Sequence, residues 1–132
     1  MSKVLVVDDD PSFRFFLKAL FETEEHAVRL GRNAKEALTH VRQEAPDLIT
    51  LDVMMPDHGG LEMYRALKMH WEWQNIPVIM LSGVKRETYA HALAMSGITG
   101  EVLPEPFAYV EKPPQPELLL ELAQSALAGM KA

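Results

Sequence analysis

Three consecutive aspartates, Asp8-Asp9-Asp10, stand directly after the apolar run Val4-Leu5-Val6-Val7, and a lone Asp52 stands directly after a second run, Leu48-Ile49-Thr50-Leu51. Ser82 ends a third such run, and Lys112 follows a fourth. If the runs are neighbouring strands, the carboxylates of Asp8, Asp9 and Asp52 meet at one edge of a sheet. Carboxylates about 4 Å apart repel by roughly 4 kcal/mol per pair at an effective dielectric near 20, so folding selects against this geometry unless a cation is at hand. A hard divalent ion meets the need: Mg²⁺ takes one or two carboxylates, keeps several waters and leaves positions for phosphate oxygens. A carboxylate nucleophile, a metal, a lysine as second clamp and a hydroxyl to hold the transferred group are together the parts of a phosphoryl-transfer site. Asp52 is the nucleophile in this reading, one residue past a buried strand and just before a loop. Asp10, which precedes Pro11, reads as a helix cap. Taken singly, Ser82 is a turn residue and Lys112 a surface lysine; their positions at strand ends are what recruit them.

The elements that must position these groups follow from the hydrophobic pattern. The run at 4–7 is short, rich in β-branched residues and apolar throughout, as expected of a parallel strand buried on both faces. Phe13, Phe16, Leu17, Leu20 and Phe21 then repeat at helical spacing and predict a core-facing helix. A weaker strand is expected at 27–30. Asn33 caps a second helix carrying Ala34, Ala37, Leu38 and Val41, which Pro46 forbids from continuing. A third strand covers 48–51, after which Pro56 and Gly59-Gly60 mark a loop. Met63, Tyr64, Leu67 and Trp71 define a third helix, 76–81 a fourth strand, and Tyr89, Ala92 and Leu93 a fourth helix. A short fifth strand is expected at 107–110, stopped by Pro113-Pro114. Leu119, Leu122, Ala123, Ala126 and Met130 share one face of a last helix. Five strand–helix units predict an α/β fold: a doubly wound, five-stranded parallel sheet in the flavodoxin-like order 2-1-3-4-5 with helices on both faces. In such sheets ligands bind at the carboxyl ends of the strands near the switch point, here between the first and third strands, where Asp8, Asp9 and Asp52 lie.

Composition narrows the function classes. A chain of 132 residues, 48% hydrophobic and 24% charged, has the size and make-up of one globular domain. Thirteen basic against nineteen acidic side chains leave a net charge of −6, which argues against direct DNA binding because no basic cluster offsets it. The absence of cysteine removes disulfides, thiolate metal sites and cysteine nucleophiles, and fits a reducing compartment. Four uninterrupted apolar residues before Asp8 are too few for a signal peptide or a membrane span. A cytoplasmic location is therefore expected.

Four motifs in order resemble those of response-regulator receiver domains across nearly the whole chain. They are Val6-Val7-Asp8-Asp9; Leu51-Asp52-Val53-Met54-Met55-Pro56 with Gly59-Gly60; Leu81-Ser82-Gly83; and Tyr109-Val110-Glu111-Lys112-Pro113. The resemblance implies a stand-alone, chemotaxis-type receiver of two-component signalling, spanning 1–132, with no output domain. It makes Asp8 and Asp9 the acidic pair, Asp52 the phosphoacceptor and the Met54 backbone carbonyl a further Mg²⁺ ligand. Ser82 becomes the switch hydroxyl and Tyr109 the switch aromatic that rotates inward, while Lys112 contacts the phosphoryl group. The Lys112–Pro113 bond is commonly cis in relatives. The implied partners are a sensor histidine kinase or a histidine phosphotransfer protein, and an unknown downstream protein on the face of the fourth helix, fifth strand and fifth helix, with a homodimer on phosphorylation as a further possibility. The only catalysis implied is the domain's own phosphorylation and dephosphorylation.

Two departures from the family pattern stand out. Gly97 and Lys112 are fifteen positions apart, an excess of about eight residues over the family's usual run, which places an insertion within 98–106 beside the expected output face. Met54 and Val84 occupy places that often carry polar side chains near the attacking water. Among other readings, a flavodoxin needs small hydroxyl and glycine residues where Asp8-Asp9-Asp10 stand. A haloacid-dehalogenase-like phosphatase needs an aspartate where Met54 stands. The remaining alternative is a receiver fold acting as a phosphorylation-independent protein-binding scaffold. His26, His40, His58, His70 and His91 show no metal-ligand spacing and read as surface residues, and the methionines as gap-fillers of the core.

Overall fold

The computed structural model describes residues 1–55, 59–95 and 103–129. In chain order the elements are β1 (Lys3–Val7), α1 (Pro11–Glu22), β2 (Ala27–Gly31), α2 (Ala34–Gln43), β3 (Leu48–Leu51), α3 (Gly59–Lys68), β4 (Val78–Ser82), α4 (Arg86–Met95), β5 (Ala108–Glu111) and α5 (Pro116–Leu127). The strands form one sheet in the order β2-β1-β3-β4-β5, parallel throughout. The doubly wound architecture expected from the sequence is thus the one found.

Because side chains alternate across a strand, the sheet divides its apolar residues between two cores. Val4, Val6, Leu48, Ile79 and Leu81 face Leu17 and Phe21 of α1 and Leu119, Ala123 and Ala126 of α5. Leu5, Val7, Ile49, Leu51, Val78 and Met80 face Ala37 and Val41 of α2 and Met63, Tyr64 and Leu67 of α3. On β5 the same alternation sends Ala108 and Val110 to the α1–α5 side and Tyr109 to the other.

Helix starts follow their capping chemistry. Asp10 accepts from the Ser12 and Phe13 amides at 3.0 and 3.5 Å, with Pro11 as the first helical residue. Asn33 accepts from the Glu36 amide at 2.8 Å. Other local expectations need correction. Gly59 and Gly60 open α3 rather than lying in a loop. Phe16 is 40% exposed: the buried line on α1 runs through Leu17 and Phe21, and Phe16 falls at its edge, tilted against Phe13. Trp71 lies beyond the end of α3 and is 77% exposed. Its expected core role belongs to Trp73, which packs on the α2–α3 side and stacks on His70 at 3.7 Å. Strand β4 starts at Val78 rather than at 76, because the Ile76 amide closes a turn on the Trp73 carbonyl and Pro77 has no N–H. Strands β2 and β5 each reach one residue further than expected, to Gly31 and Glu111.

Part of the expected insertion, and Met130, lie outside the described residues. The rest of the insertion is tied to the body of the protein. Leu103 packs on the α2–α3 core, and the fully buried Tyr64 donates its hydroxyl to the Pro104 carbonyl.

Candidate functional site

The site lies at the carboxyl edge of the sheet. Asp8 follows β1 with its amide on the Gly31 carbonyl at 3.0 Å, and Asp52 follows β3 with its amide on the Val7 carbonyl at 2.9 Å. Backbone pairing thus carries both aspartates one residue past their strands and holds them side by side. Asp8 is 1% exposed and Asp52 6%, whereas Asp9 is exposed. One oxygen of Asp8 accepts from the Asp10 amide at 2.9 Å, and the Asp8 carbonyl accepts from the Arg14 guanidinium at 2.7 Å, so the loop holds this carboxylate in one orientation. One oxygen of Asp52 accepts from the Met54 amide at 3.0 Å.

Oxygens of Asp8, Asp9 and Asp52 lie within 4.8 Å of one another, the one such cluster of acidic or histidine groups among the described residues. Lys112 arrives from beyond β5, its amide bonded to the Ser82 carbonyl at 2.8 Å. Its ammonium donates to Asp8 at 2.6 Å and lies 3.5 Å from Asp52. Burial pushes the Asp52 carboxyl above its ordinary range. The Met54 amide and the Lys112 charge pull it down, while Asp8 and Asp9 push it further up. One ammonium against three converging carboxylates leaves negative charge in a largely buried place, which a hard divalent cation would offset. The oxygen-only donor set suits a hard ion such as Mg²⁺ better than the softer metals that favour nitrogen or sulfur.

Ser82, fully buried, ends β4, and its hydroxyl accepts from the Val84 amide at 3.2 Å. Tyr109 is half-buried and donates its hydroxyl to the Val84 carbonyl. Its phenol is held above the usual range, mainly by burial, with the Ser82 hydrogen bond opposing and Glu111 and Asp52 adding to the rise. The backbone at Val84 therefore joins Ser82 to Tyr109. The Lys112–Pro113 peptide bond is cis. The Met54 side chain is 56% exposed beside Asp52.

Asp8, Asp9, Asp52 and Lys112 are brought together, and Ser82 and Tyr109 form an adjoining pair. Sequence reasoning missed two neighbours of the site. Arg14 stands four residues after the capping Asp10, a spacing that is compatible with many roles. Phe13 packs against the α1–α5 core as its spacing predicts, and its ring also lies 4.3 Å beneath the Lys112 ammonium. No local pattern announces either contact.

The described helices include none long and apolar enough to cross a membrane. The response regulator receiver domain family matches residues 4–124. The chain is 31% identical over 129 residues to Protein PilH of Pseudomonas aeruginosa, covering 98% of this chain and 100% of that protein. It is 35% identical over 121 residues to an uncharacterized 14.6 kDa protein of Leptolyngbya boryana, covering 92% of this chain and 86% of that one. Among solved structures, chemotaxis protein CheY4 of Vibrio cholerae matches with a TM-score of 0.77 at 28% identity, over 96% of this chain and 98% of that one. The signal receiver domain of a histidine kinase from Syntrophus aciditrophicus matches with a TM-score of 0.81 at 26% identity, over 98% and 92%.

Proposed function

Because the chain belongs to the response regulator receiver domain family of two-component signalling, we propose that it is a phosphorylation switch whose acceptor is Asp52. The observation that carries this reading is the convergence of Asp8, Asp9 and Asp52 with the Lys112 ammonium, 2.6 Å from Asp8 and 3.5 Å from Asp52, at the carboxyl edge of the sheet.

The donor is a phosphohistidine of a sensor kinase or of a phosphotransfer protein. An Asp52 oxygen attacks phosphorus as the phosphorus–nitrogen bond breaks. The bonding pair leaves on the imidazole, which then takes a proton, and the product is an aspartyl phosphate. Asp8, Asp9, Asp52 and the Met54 carbonyl would hold Mg²⁺, which when bound supplies charge neutralisation at the phosphoryl oxygens. Lys112 stabilises the same oxygens from the other side. Burial of Asp52 leaves its carboxylate poorly hydrated, so little water must be displaced before attack.

In this reading the Ser82 hydroxyl turns to the phosphoryl group and gives up the Val84 amide. Tyr109, bonded to the Val84 carbonyl, follows that change on β5. The output is read on the neighbouring face by a downstream protein or by a second copy of the chain. There a groove is lined by Arg86, Phe107, Tyr109, Pro114, Leu118 and Leu122. The net charge of −6 favours a protein partner over DNA, and the kinase partner implies a cytoplasmic place of action.

The test is intact mass. Incubation with acetyl phosphate and Mg²⁺ should add one phosphoryl group to the parent and none to Asp52→Ala. No adduct on the parent would leave the phosphorylation-independent scaffold as the better reading. Mg²⁺ affinity by calorimetry should fall in Asp9→Ala, and an unchanged affinity would remove Asp9 from the ligand set.

A further inference from the structure

Among the described residues, two carboxylates and an aromatic ring stand close to the Lys112 ammonium. The carboxylates are Asp8 at 2.6 Å and Asp52 at 3.5 Å; the ring is that of Phe13, with its centroid 4.3 Å from Nζ. The placement follows from the fold. Lys112 follows β5 on the parity of Ala108 and Val110, which face α1 and α5. Phe13 sits in the first turn of α1, immediately after the Asp10 cap, and helical side chains lean toward the helix N-terminus. That carries its ring to the carboxyl edge of the sheet, where it is half-buried and lies against Phe16 with centroids 5.8 Å apart.

Resting on the reading of Lys112 as the phosphoryl-binding cation, we infer that Phe13 is a positioning residue for phosphoryl transfer: its ring face holds the Lys112 ammonium at the Asp8–Asp52 edge. A lysine ends four flexible carbons, and its ammonium is compact and strongly hydrated. A carbonyl or carboxylate in the place of the ring would also hold it, but would compete for it with an incoming phosphoryl oxygen. An aliphatic side chain would fill the space without attracting the charge. The ring does both needed things. Its quadrupole attracts the cation, and it has no lone pair to rival the phosphoryl group. It also keeps water from that side of the ammonium, which strengthens the charge felt by the transferring group.

The test separates the ring's electrostatics from its bulk. The full chain is prepared as parent, Phe13→Leu and Phe13→Tyr, and with mono-, di- and trifluorinated phenylalanine at position 13. Fluorination drains the ring face of negative charge at nearly constant size, so packing is preserved across the series. The first readout is the proton resonances of the Lys112 methylenes, shifted upfield in the parent by the ring current and returned to ordinary values in Phe13→Leu. The second is the rate of phosphorylation by acetyl phosphate at saturating Mg²⁺. The rate should fall about fivefold in Phe13→Leu, equivalent to about 1 kcal/mol of barrier. It should decline stepwise with fluorination, and Phe13→Tyr should recover most of what Phe13→Leu loses. Equal rates for parent, trifluorinated and leucine chains would overturn the positioning role, as would Lys112 resonances that are indifferent to residue 13. A parent that takes no phosphoryl group at all would instead refute the assignment of Asp52, and the role of Phe13 with it.

Discussion

Replacing Gly60 by alanine is expected to cripple acceptance of the phosphoryl group far more than it harms the fold. Gly60 is buried in the first turn of α3, against the backbone that carries the acceptor. A β-carbon built there would stand 2.3 Å from the Asp52 carbonyl oxygen, 2.5 Å from that of Val53 and 2.8 Å from the Val53 carbonyl carbon, where ordinary contact begins near 3.4 Å. All three atoms are backbone, so relief requires α3 or the Asp52–Val53 segment to move by about 1 Å. Overpacking of this kind costs about 1–3 kcal/mol, and the better helix propensity of alanine returns up to about 1 kcal/mol of it. The net loss of stability is then about 0–3 kcal/mol, a fall in Tm of up to about 15 °C. A nucleophile misplaced by about 1 Å, by contrast, can lose a factor of about 100 in rate. The assay is the phosphorylation rate with acetyl phosphate and Mg²⁺, followed by intact mass beside thermal unfolding. Gly59→Ala is the control, since among the described residues a β-carbon there meets only the Ala34 side chain at 3.6 Å and the Met55 methyl at 3.9 Å. If Gly60→Ala reacts within about twofold of both the parent and Gly59→Ala, the claim that this helix start sets the acceptor's position is wrong.

Three further outcomes are expected. The Asp52 carboxyl is held above its unfolded value of 3.8, chiefly by burial, so the native state binds this proton more tightly than the unfolded chain. Its ionisation therefore costs stability that is intact below about pH 4 and is lost as pH rises through the folded value. Without divalent cations, Asp52→Asn should be more stable than the parent near neutrality, with the gap closing below about pH 4 and narrowing when Mg²⁺ is added; equal Tm values across that range would contradict this. Tyr64→Phe removes the hydroxyl that ties α3 to the Pro104 carbonyl and should lower the unfolding free energy by about 1 kcal/mol in urea, at unchanged m-value. Met54, 56% exposed beside Asp52, offers no hydrogen bond to orient water, and neither does the Val84 side chain. Met54→Asn combined with Val84→Glu should speed phosphate release from the phosphoprotein about tenfold, equivalent to about 1.4 kcal/mol, and a rate no faster than the parent's would refute it.

Much of this architecture was legible without coordinates, because the signals involved are local. The apolar run before Asp8, and the one before Asp52 that only Thr50 interrupts, are what a strand buried on both faces requires. Asp10-Pro11 and Asn33 mark helix starts through backbone chemistry that involves only their own turn. The same runs, ordered as strand–helix units, implied the parallel sheet, and the sheet implied that Asp8, Asp9 and Asp52 would meet. Local pattern misled where packing between elements decides. Trp71 continues the helical spacing of Leu67, yet the helix ends at Lys68 and the partly buried Trp73 packs against the core instead. Gly59-Gly60 has the composition of a loop, and only the approach of α3 to the acceptor backbone shows why a glycine is needed inside a helix there.

The sequence by itself determined which groups are charged, which strand ends carry them and where strands and helices alternate along the chain, because apolar runs, capping and strand length act within a few residues. Tertiary structure alone decided that the Lys112 ammonium rests on Phe13, that Tyr109 and Ser82 share the backbone of Val84, and that Tyr64 anchors Pro104. Those contacts join residues far apart in the chain. Their partners are chosen by the twist of the sheet and the seating of helices on it, which no single segment encodes.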